Sequence, residues 1–474
     1  MSQALINALQ NPSLYPHPVE SFQVIETHIS WVLLAGQDAW KIKKPVNYGF
    51  LDYSTHAQRL WGCQEELRLN KRSAPDIYLD VVAITGTPQA PALGGAGEVL
   101  DHCVHMRRFN QADLFTHLAA NGQLTTGLIE DLAEQVAHMH SVAAVATPSD
   151  NQGQPHGMHH AVADNFAVLR NMLAHSPLRS TLQQLLHWTN QAHKKLLPLL
   201  NQRLAQGFIR ECHGDLHLGN IMLYQGKAMP FDAIEFQPAF RWNDVQADIA
   251  FLVMDLLHRG QPALAWRALN RWLEHTGDYE GLALLPYYLV YRALVRAKVT
   301  GFQLFGADAT QRAAIEKEMA GYLQLALQCT QPKALFLWIT FGVSGSGKST
   351  LFHLLTGKIS PTNGKLTIGG VDYMELSAEQ IHEEISYVDQ VPYVFEASIE
   401  ENLTLLQDFS SQQLQQVLTS TQFSQVITQL SQQLATQLGP SELELSGGQK
   451  QRLALARTLL RDTPILLLDE TTAN

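Results

Sequence analysis

Residues 212–222 read CHGDLHLGNIM, and Asp232 follows ten residues after Met222 in the segment PFDAIEF. The loop sets Asp215, four intervening residues and then Asn220 between two β-type runs, Gly207–Arg210 and Ile221–Tyr224. Transfer of a phosphoryl group from ATP needs one carboxylate to orient the acceptor hydroxyl and oxygen ligands to hold Mg²⁺ against the phosphates. Asp215, as base, and Asn220 and Asp232, as metal ligands, have the types and spacing for those three tasks. A lone Asp-x4-Asn reads as an ordinary turn; HGDLHxGN followed by an apolar-flanked Asp is far more specific.

The segments around this loop predict an α+β arrangement. His28–Leu34 and Asp38–Lys43 are strand-like runs joined by Ala-Gly-Gln, a hairpin signal. Ser54–Asn70 reads as a helix ending before Ala74-Pro75, and Ile77–Ile84 and Cys103–Arg108 as two further strands. Helical patterns run from Gln111 to His140 and dominate to Leu327, broken by a surface loop at Ala144–His156 and the short strands around residues 208–235. A small β-rich lobe over about residues 14–108, then a helical lobe over about 109–327, is the layout of protein-kinase-like folds.

The 474 residues are 46% hydrophobic and 16% charged, with a formal charge of -11. A chain this apolar has a core to bury, and one this acidic repels nucleic-acid phosphates. The four cysteines have no CxxC pair and no His partner at zinc spacing. No basic start followed by an apolar run marks the N-terminus, and the longest apolar stretch falls well short of the ~20 residues that span a bilayer. The expectation is a soluble cytoplasmic protein. Composition changes after Ala334: 18 of 20 His precede it, and net charge moves from -3 before to -8 after. The segment Ser411–Gln437 holds ten Gln, with Leu414, Leu418, Phe423, Ile427, Leu430 and Leu434 at helical spacing, which predicts exposed helices of a small subdomain.

The HGDLH loop resembles that of the aminoglycoside phosphotransferase/choline kinase family, in which its Asp is the catalytic base and the later Asn and Asp bind magnesium. The resemblance implies a strand Lys two residues after a small residue near adenine, paired with a helix Glu. Ala39-Trp40-Lys41 fits, with Lys43 on the same strand face as the alternative; Glu66 in CQEELRLN is the partner ahead of Glu65. Met106 and Arg107 fall at the hinge between lobes, and Asp244 and Asp248 at a position supporting the catalytic loop. KIKKPVNYGFLDYST, EELRLNKRSAPDIYLDV and FDAIEFQPAFRWNDVQADIAFLVMDL look more narrowly like a subfamily in which such a domain precedes a P-loop ATP-binding domain. The implied substrates are ATP·Mg²⁺ and a small-molecule hydroxyl acceptor. Acidic residues that would bind an aminoglycoside are not identifiable.

Leu335–Phe341 is an apolar β-rich run followed by GVSGSGKST. Gly342, Gly347, Lys348 and Ser349 satisfy GxxxxGK[ST], whose backbone N–H groups wrap a phosphate while Lys348 reaches the terminal phosphates and Ser349 the Mg²⁺. Val343, Ser344, Gly345, Ser346 and Thr350 complete the expected loop, with a helix over Thr350–Leu355. The remainder resembles the nucleotide-binding domain of exporter-type ABC transporters. NGKLTIGGVDY looks like the strand–turn–strand after the P-loop helix. Gln390 matches the Gln loop, implying contact with nucleotide and magnesium and coupling to a membrane-domain partner. LSGGQKQR at Leu445–Arg452 matches the signature, so that Ser446, Gly447, Gly448 and Gln449 would meet ATP bound by the other subunit of a head-to-tail dimer. ILLLDE supplies Asp469 for magnesium and Glu470 as the base that activates water.

Two departures accompany these matches. The residues before the P-loop, Ala309–Leu327, are helical and unlike the β-subdomain that opens an ABC domain, and the sequence stops at DETTAN without a D-loop or His loop. The expected fold is thus a kinase-like bilobal domain at 1–327, a linker at 328–334 and an incomplete, poorly stable α/β P-loop domain with a parallel sheet at 335–474. Both resemblances meet at GVSGSGKST, a natural junction for recombination or gene joining. Three functions follow: a small-molecule kinase joined to an ABC-type ATPase module; the ATP-binding subunit of an ABC transporter, at the inner face of the membrane; or a non-physiological fusion that binds ATP without useful turnover.

Overall fold

The hairpin signal near residue 36 opens an antiparallel sheet of six strands in the computed structural model, which describes residues 3–331 except 50, 148 and 150–152, and 346–469 except 369, 370, 441 and 462. The chain divides into two compact units, Met1–Pro332 and Lys333–Asn474.

In the first unit the strands are β1 (Phe22–Glu26), β2 (Ser30–Ala35), β3 (Asp38–Lys43), β4 (Tyr78–Thr87), β5 (Ala90–Leu93) and β6 (Val99–Arg107), in the order β1-β2-β3-β6-β4-β5. Gly36 makes the β2–β3 turn at φ 60°, where a Cβ would also stand 2.7 Å from the His17 ring. The helix His56–Asn70 follows β3. Thr55 and Gln58 cap it reciprocally, each side chain taking the other's backbone N–H, and it buries Cys63, Glu66 and Leu69. Cys63 packs with Leu34, Ala39, Tyr78 and Val104 of the sheet. β1 and β5 carry no hairpin signature of their own and were not among the expected strands; β6 begins four residues before the expected run, the polar pair Asp101-His102 having separated Val99 and Leu100 from the apolar residues that follow.

The rest of this unit is helical. Its core gathers Phe251, Trp272, Tyr288 and Leu323 from the helices Val245–His258, Pro262–Thr276, Leu285–Phe302 and Ala309–Cys329. Every residue from Val245 to Leu256 is buried. Two short antiparallel pairs interrupt the helices. β7 (Ile209–Glu211) pairs with β10 (Trp242–Asp244), and β8 (Ile221–Tyr224) with β9 (Lys227–Pro230). The HGDLH loop is thereby clamped between β7 and β8.

The second unit carries the helix Lys348–Leu355, the hairpin β11 (Thr367–Ile368) and β12 (Val371–Asp372), and the parallel pair β13 (Ile385–Val388) and β14 (Ile465–Leu468). The helix starts at Lys348, two residues before the expected Thr350, because Gly347 in the left-handed region at φ 91° turns the chain directly into it. The Gln-rich segment forms the helices Ser411–Ser420 and Ser424–Ile427; Leu418 and Ile427 of these helices and Phe423 between them pack with Ile399, Leu403 and Leu453. The expected strand at 335–341 lies outside the described residues. No helix among the described residues is long and apolar enough to cross a membrane.

Candidate nucleotide sites

β3 presents Lys41 and Lys43 to one side of the sheet, a consequence of the two-residue strand period. The helix behind supplies Glu66, and the segment after β9 supplies Asp232 and Glu235. Lys41 Nζ donates to Glu66 Oε1 at 2.7 Å and to Asp232 Oδ1 at 2.6 Å. Lys43 Nζ donates to Glu66 Oε2 and Glu235 Oε1, and the Tyr53 hydroxyl donates to the same Glu235 oxygen at 2.7 Å. The lysines are thus sorted. Lys43 is fully buried, whereas Asp232, the Lys41 partner, exposes 40% of its side chain. Burial pushes the Glu66 carboxyl up, but the two ammonium groups prevail and hold it at about 2. Asp232 sits at φ 60°, a left-handed conformation unusual for a residue with a Cβ. Its backbone N–H donates to the Tyr78 hydroxyl at 3.2 Å, and the next N–H donates to Asn70 Oδ1 at 2.8 Å.

The catalytic-loop candidates meet as well. Asn220 Nδ2 donates to Asp215 Oδ2 at 2.9 Å and to the Asp215 carbonyl at 3.0 Å. The amide nitrogen is therefore committed to Asp215, and the Asn220 Oδ1 is the atom left to meet a cation. Burial opposes ionisation of Asp215, yet the His217 ring beside it and the Arg296 charge hold its carboxyl well below the usual range. Asp248 fixes the loop from beneath: it accepts from the His213 N–H at 3.1 Å, the Gly214 N–H at 2.9 Å and His140 Nε2 at 3.1 Å. Asp244 closes onto Arg203, which also binds Asp278. Arg292 donates to the Gly214 and Ala247 carbonyls. Met106 pairs with Ala39 and Tyr78 inside β6 and its side chain lies in the core, so any nucleotide contact near it falls to backbone at the strand's end.

In the second unit, Ser346 and Gly347 lead into the helix described above and Lys348, Ser349 and Thr350 form its first turn, whose N–H groups present the positive end of the helix dipole. β13 and β14 end together: the Asp469 N–H donates to the Val388 carbonyl and the Tyr387 hydroxyl to Asp469 Oδ2 at 3.1 Å. Gln390 stands two residues beyond β13 and the buried Asp469 one beyond β14, both at the carboxyl edge of parallel strands, where ligands of α/β sheets bind. Ser446 caps the helix Gly447–Leu460, exchanging hydrogen bonds with Gln449, and a Cβ at Gly447 or Gly448 would meet nothing within 4 Å. Gly342, Val343, Ser344, Gly345 and Glu470 lie outside the described residues.

The structure brings Asp215 to Asn220 and Lys41 to Glu66, the partner expected from the sequence, and adds Asp232 as a second partner of Lys41. The sequence pattern missed Tyr53, Asn70, Tyr78, Glu235, His217 and Arg296. Glu235 was findable, three residues after Asp232 in the same segment and facing the second lysine of an alternating pair.

Residues 327–473 match the family model described as ABC transporter, and this part of the chain is an ABC-type ATP-binding domain, a kind that uses ATP with Mg²⁺. Over 136 residues the chain is 42% identical to the lactococcin-A transport/processing ATP-binding protein of Lactococcus lactis, covering 28% of this chain and 19% of that protein. Over 146 residues it is 40% identical to a multidrug resistance ABC transporter ATP-binding and permease protein of the same species, covering 30% and 24%. A different relative, an uncharacterized protein of Mycobacterium tuberculosis, is 32% identical over 338 residues, 71% of this chain and 66% of that protein. The chain thus spans just under two thirds of the length of that relative.

Proposed function

We propose that the first unit is a Mg²⁺-dependent phosphotransferase of the protein-kinase-like fold, moving the γ-phosphoryl group of ATP to the hydroxyl of a small molecule. The observation that carries this reading is Lys41 bridging Glu66 and Asp232, with Asp215 and Asn220 hydrogen-bonded in the loop between β7 and β8. Lys41, held upright by Glu66, donates to the ATP phosphates. Asp232 and the Asn220 Oδ1 would hold the Mg²⁺, which would supply neutralisation of the charge that develops on the ATP phosphates. Asp215 accepts the acceptor's hydroxyl proton as its oxygen bonds to the γ-phosphorus, the bond from that phosphorus to the bridging oxygen breaks, and ADP leaves. A carboxylate held below its usual range stays ionised at neutral pH and is ready to accept the hydroxyl's hydrogen bond. The test is ATP-dependent phosphorylation of a hydroxylated metabolite, expected to vanish in Asp215→Asn with the fold intact.

For the second unit we infer ATP·Mg²⁺ binding through Gly342–Thr350, Gln390 and Asp469, with Glu470 as base. Pairing through Ser446–Gln449 with another nucleotide-binding domain, and a membrane-domain partner at the cytoplasmic face, follow from the transporter relatives. An ATPase lost in Lys348→Ala and recruited to membranes by a partner tests it. The charge of -11 disfavours nucleic acid as a partner.

A further inference from the structure

Four arginines of the first unit are buried, and three are closed onto carboxylates: Arg59 on Asp101, Arg203 on Asp244 and Asp278, and Arg241 on Glu65 and Glu211. Among the described residues the fourth, Arg292, donates to the Gly214 and Ala247 carbonyls, and its Nη2 finds no hydrogen-bond partner there. One helical turn further along Leu285–Phe302, on the same face, Arg296 carries a second buried N–H, at Nε, without an acceptor among the described residues. Leaving a buried guanidinium N–H unmatched is costly, so the pairing rule broken twice on one helix face is informative.

Arg296 Nη1 stands 3.3 Å from His217 Nε2, which is itself 3.4 Å from Asp215 Oδ2. The Gly219 N–H donates to His217 Nδ1 at 3.0 Å. Nδ1 is therefore the unprotonated acceptor, the ring proton sits on Nε2 facing Asp215, and Nε2 has no lone pair to offer Arg296. Burial works against the Arg296 charge, but Tyr322, Asp215 and Asp255 hold it cationic. Asp255 is already engaged by the Leu218 N–H and by Arg259.

Resting on the phosphotransferase reading above, we propose that Arg296, backed by Arg292, binds an anionic oxygen group of the acceptor, so that the acceptor is a small hydroxyl compound carrying a carboxylate or phosphate a few bonds from the hydroxyl. A guanidinium matches either group in paired geometry and repels a cationic amine.

The test uses the full chain saturated with Mg²⁺ and a non-hydrolysable ATP analogue. Thermal unfolding is followed while glycerate, glycerol 3-phosphate, glycerol and choline are titrated, in wild type, Arg296→Met and Arg296→Lys. The proposal expects a rise in the unfolding temperature with glycerate or glycerol 3-phosphate, absent with glycerol and choline, lost in Arg296→Met and partly restored in Arg296→Lys. The carboxylate and phosphate arms separate the two anion types. No anion response in wild type, a response equal in Arg296→Met, or a response to choline alone overturns it. Asp215-dependent transfer from ATP, measured separately on the same four compounds, distinguishes the outcomes: transfer favouring glycerol or choline sinks the acceptor class and spares the phosphotransferase, while anion binding with transfer indifferent to Asp215→Asn sinks the phosphotransferase.

Discussion

Replacing Lys43 or Lys41 by Met separates a lysine sealed in the fold from the one proposed to meet ATP. Lys43 is fully buried between Glu66 and Glu235, which are themselves 0% and 4% exposed at their side chains. Lys43→Met leaves Glu235 facing only the Tyr53 hydroxyl and Glu66 facing only Lys41. Removing one member of such a buried cluster costs about 3–5 kcal/mol, because the stranded carboxylate remains out of water. Lys41→Met strands less: Glu66 keeps Lys43, and Asp232, 40% exposed, returns to solvent. Solvent screening reduces that cost to about 1 kcal/mol. Guanidinium unfolding of the full chain, followed by the fluorescence of Trp31, Trp40 and Trp272 in the first unit, reads the first effect. Equilibrium binding of Mg²⁺·ATP in a Lys348→Ala background reads the second. Lys43→Met is expected to lower the midpoint sharply and Lys41→Met to weaken ATP with the midpoint little changed. The reasoning is refuted if Lys43→Met unfolds like wild type, or if Lys41→Met binds ATP normally.

Further perturbations probe other parts of the site. Asp248→Asn weakens the charge-assisted anchor on the His213 and Gly214 N–H groups; transfer is expected to slow by up to about a hundredfold with ATP affinity held, since small displacements of the reacting loop are costly, and a single-turnover assay checks it. Glu66, Glu211 and Asp248 are each held at about 2, below their ordinary values, by the cations or hydrogen bonds that outweigh burial. Their stabilising effect is complete above the unfolded values and lost as pH falls through the folded ones. First-unit stability should therefore be level from pH 7 to about 5 and decline toward pH 2, in a calorimetric pH series. Gly347→Ala has open space but forces a side chain to φ 91°; it should cost about 1–2 kcal/mol of second-unit stability and reduce ATP binding there, by thermal unfolding with and without ATP.

What could be read in the sequence was what local periodicity and motif spacing encode. HGDLHxGN fixed a loop between two short strands because Asp, Gly and Asn recur where backbone must turn and side chains must hold each other, and Asn220 does hold Asp215. The Lys41-x-Lys43 alternation placed both ammoniums on one face, but alternation cannot say which one is sealed. That depends on Glu235 and Tyr53, which lie 192 and 10 positions from Lys43 and meet it only through packing. Arg296 was illegible for the same reason: it comes from a helix far along the chain, and an arginine in a helix looks like any solvated cation until its neighbours fail to supply a carboxylate; His217, two residues after Asp215, stood in the motif itself, and only its contact with Asp215 was not read from it. β1 and β5 were missed because each is a partner for a neighbouring strand more than an apolar run in itself. In the second unit, GKST gave a helix start to within two residues, since a left-handed glycine at the turn into the helix is a local device.

The most direct measurement is transfer of label from γ-labelled ATP to small molecules of a deproteinised metabolite extract, by the full chain, Asp215→Asn and Lys348→Ala. The account predicts a labelled low-mass anionic product with wild type and with Lys348→Ala, and none with Asp215→Asn. A product that survives Asp215→Asn, or one that disappears with Lys348→Ala alone, contradicts it.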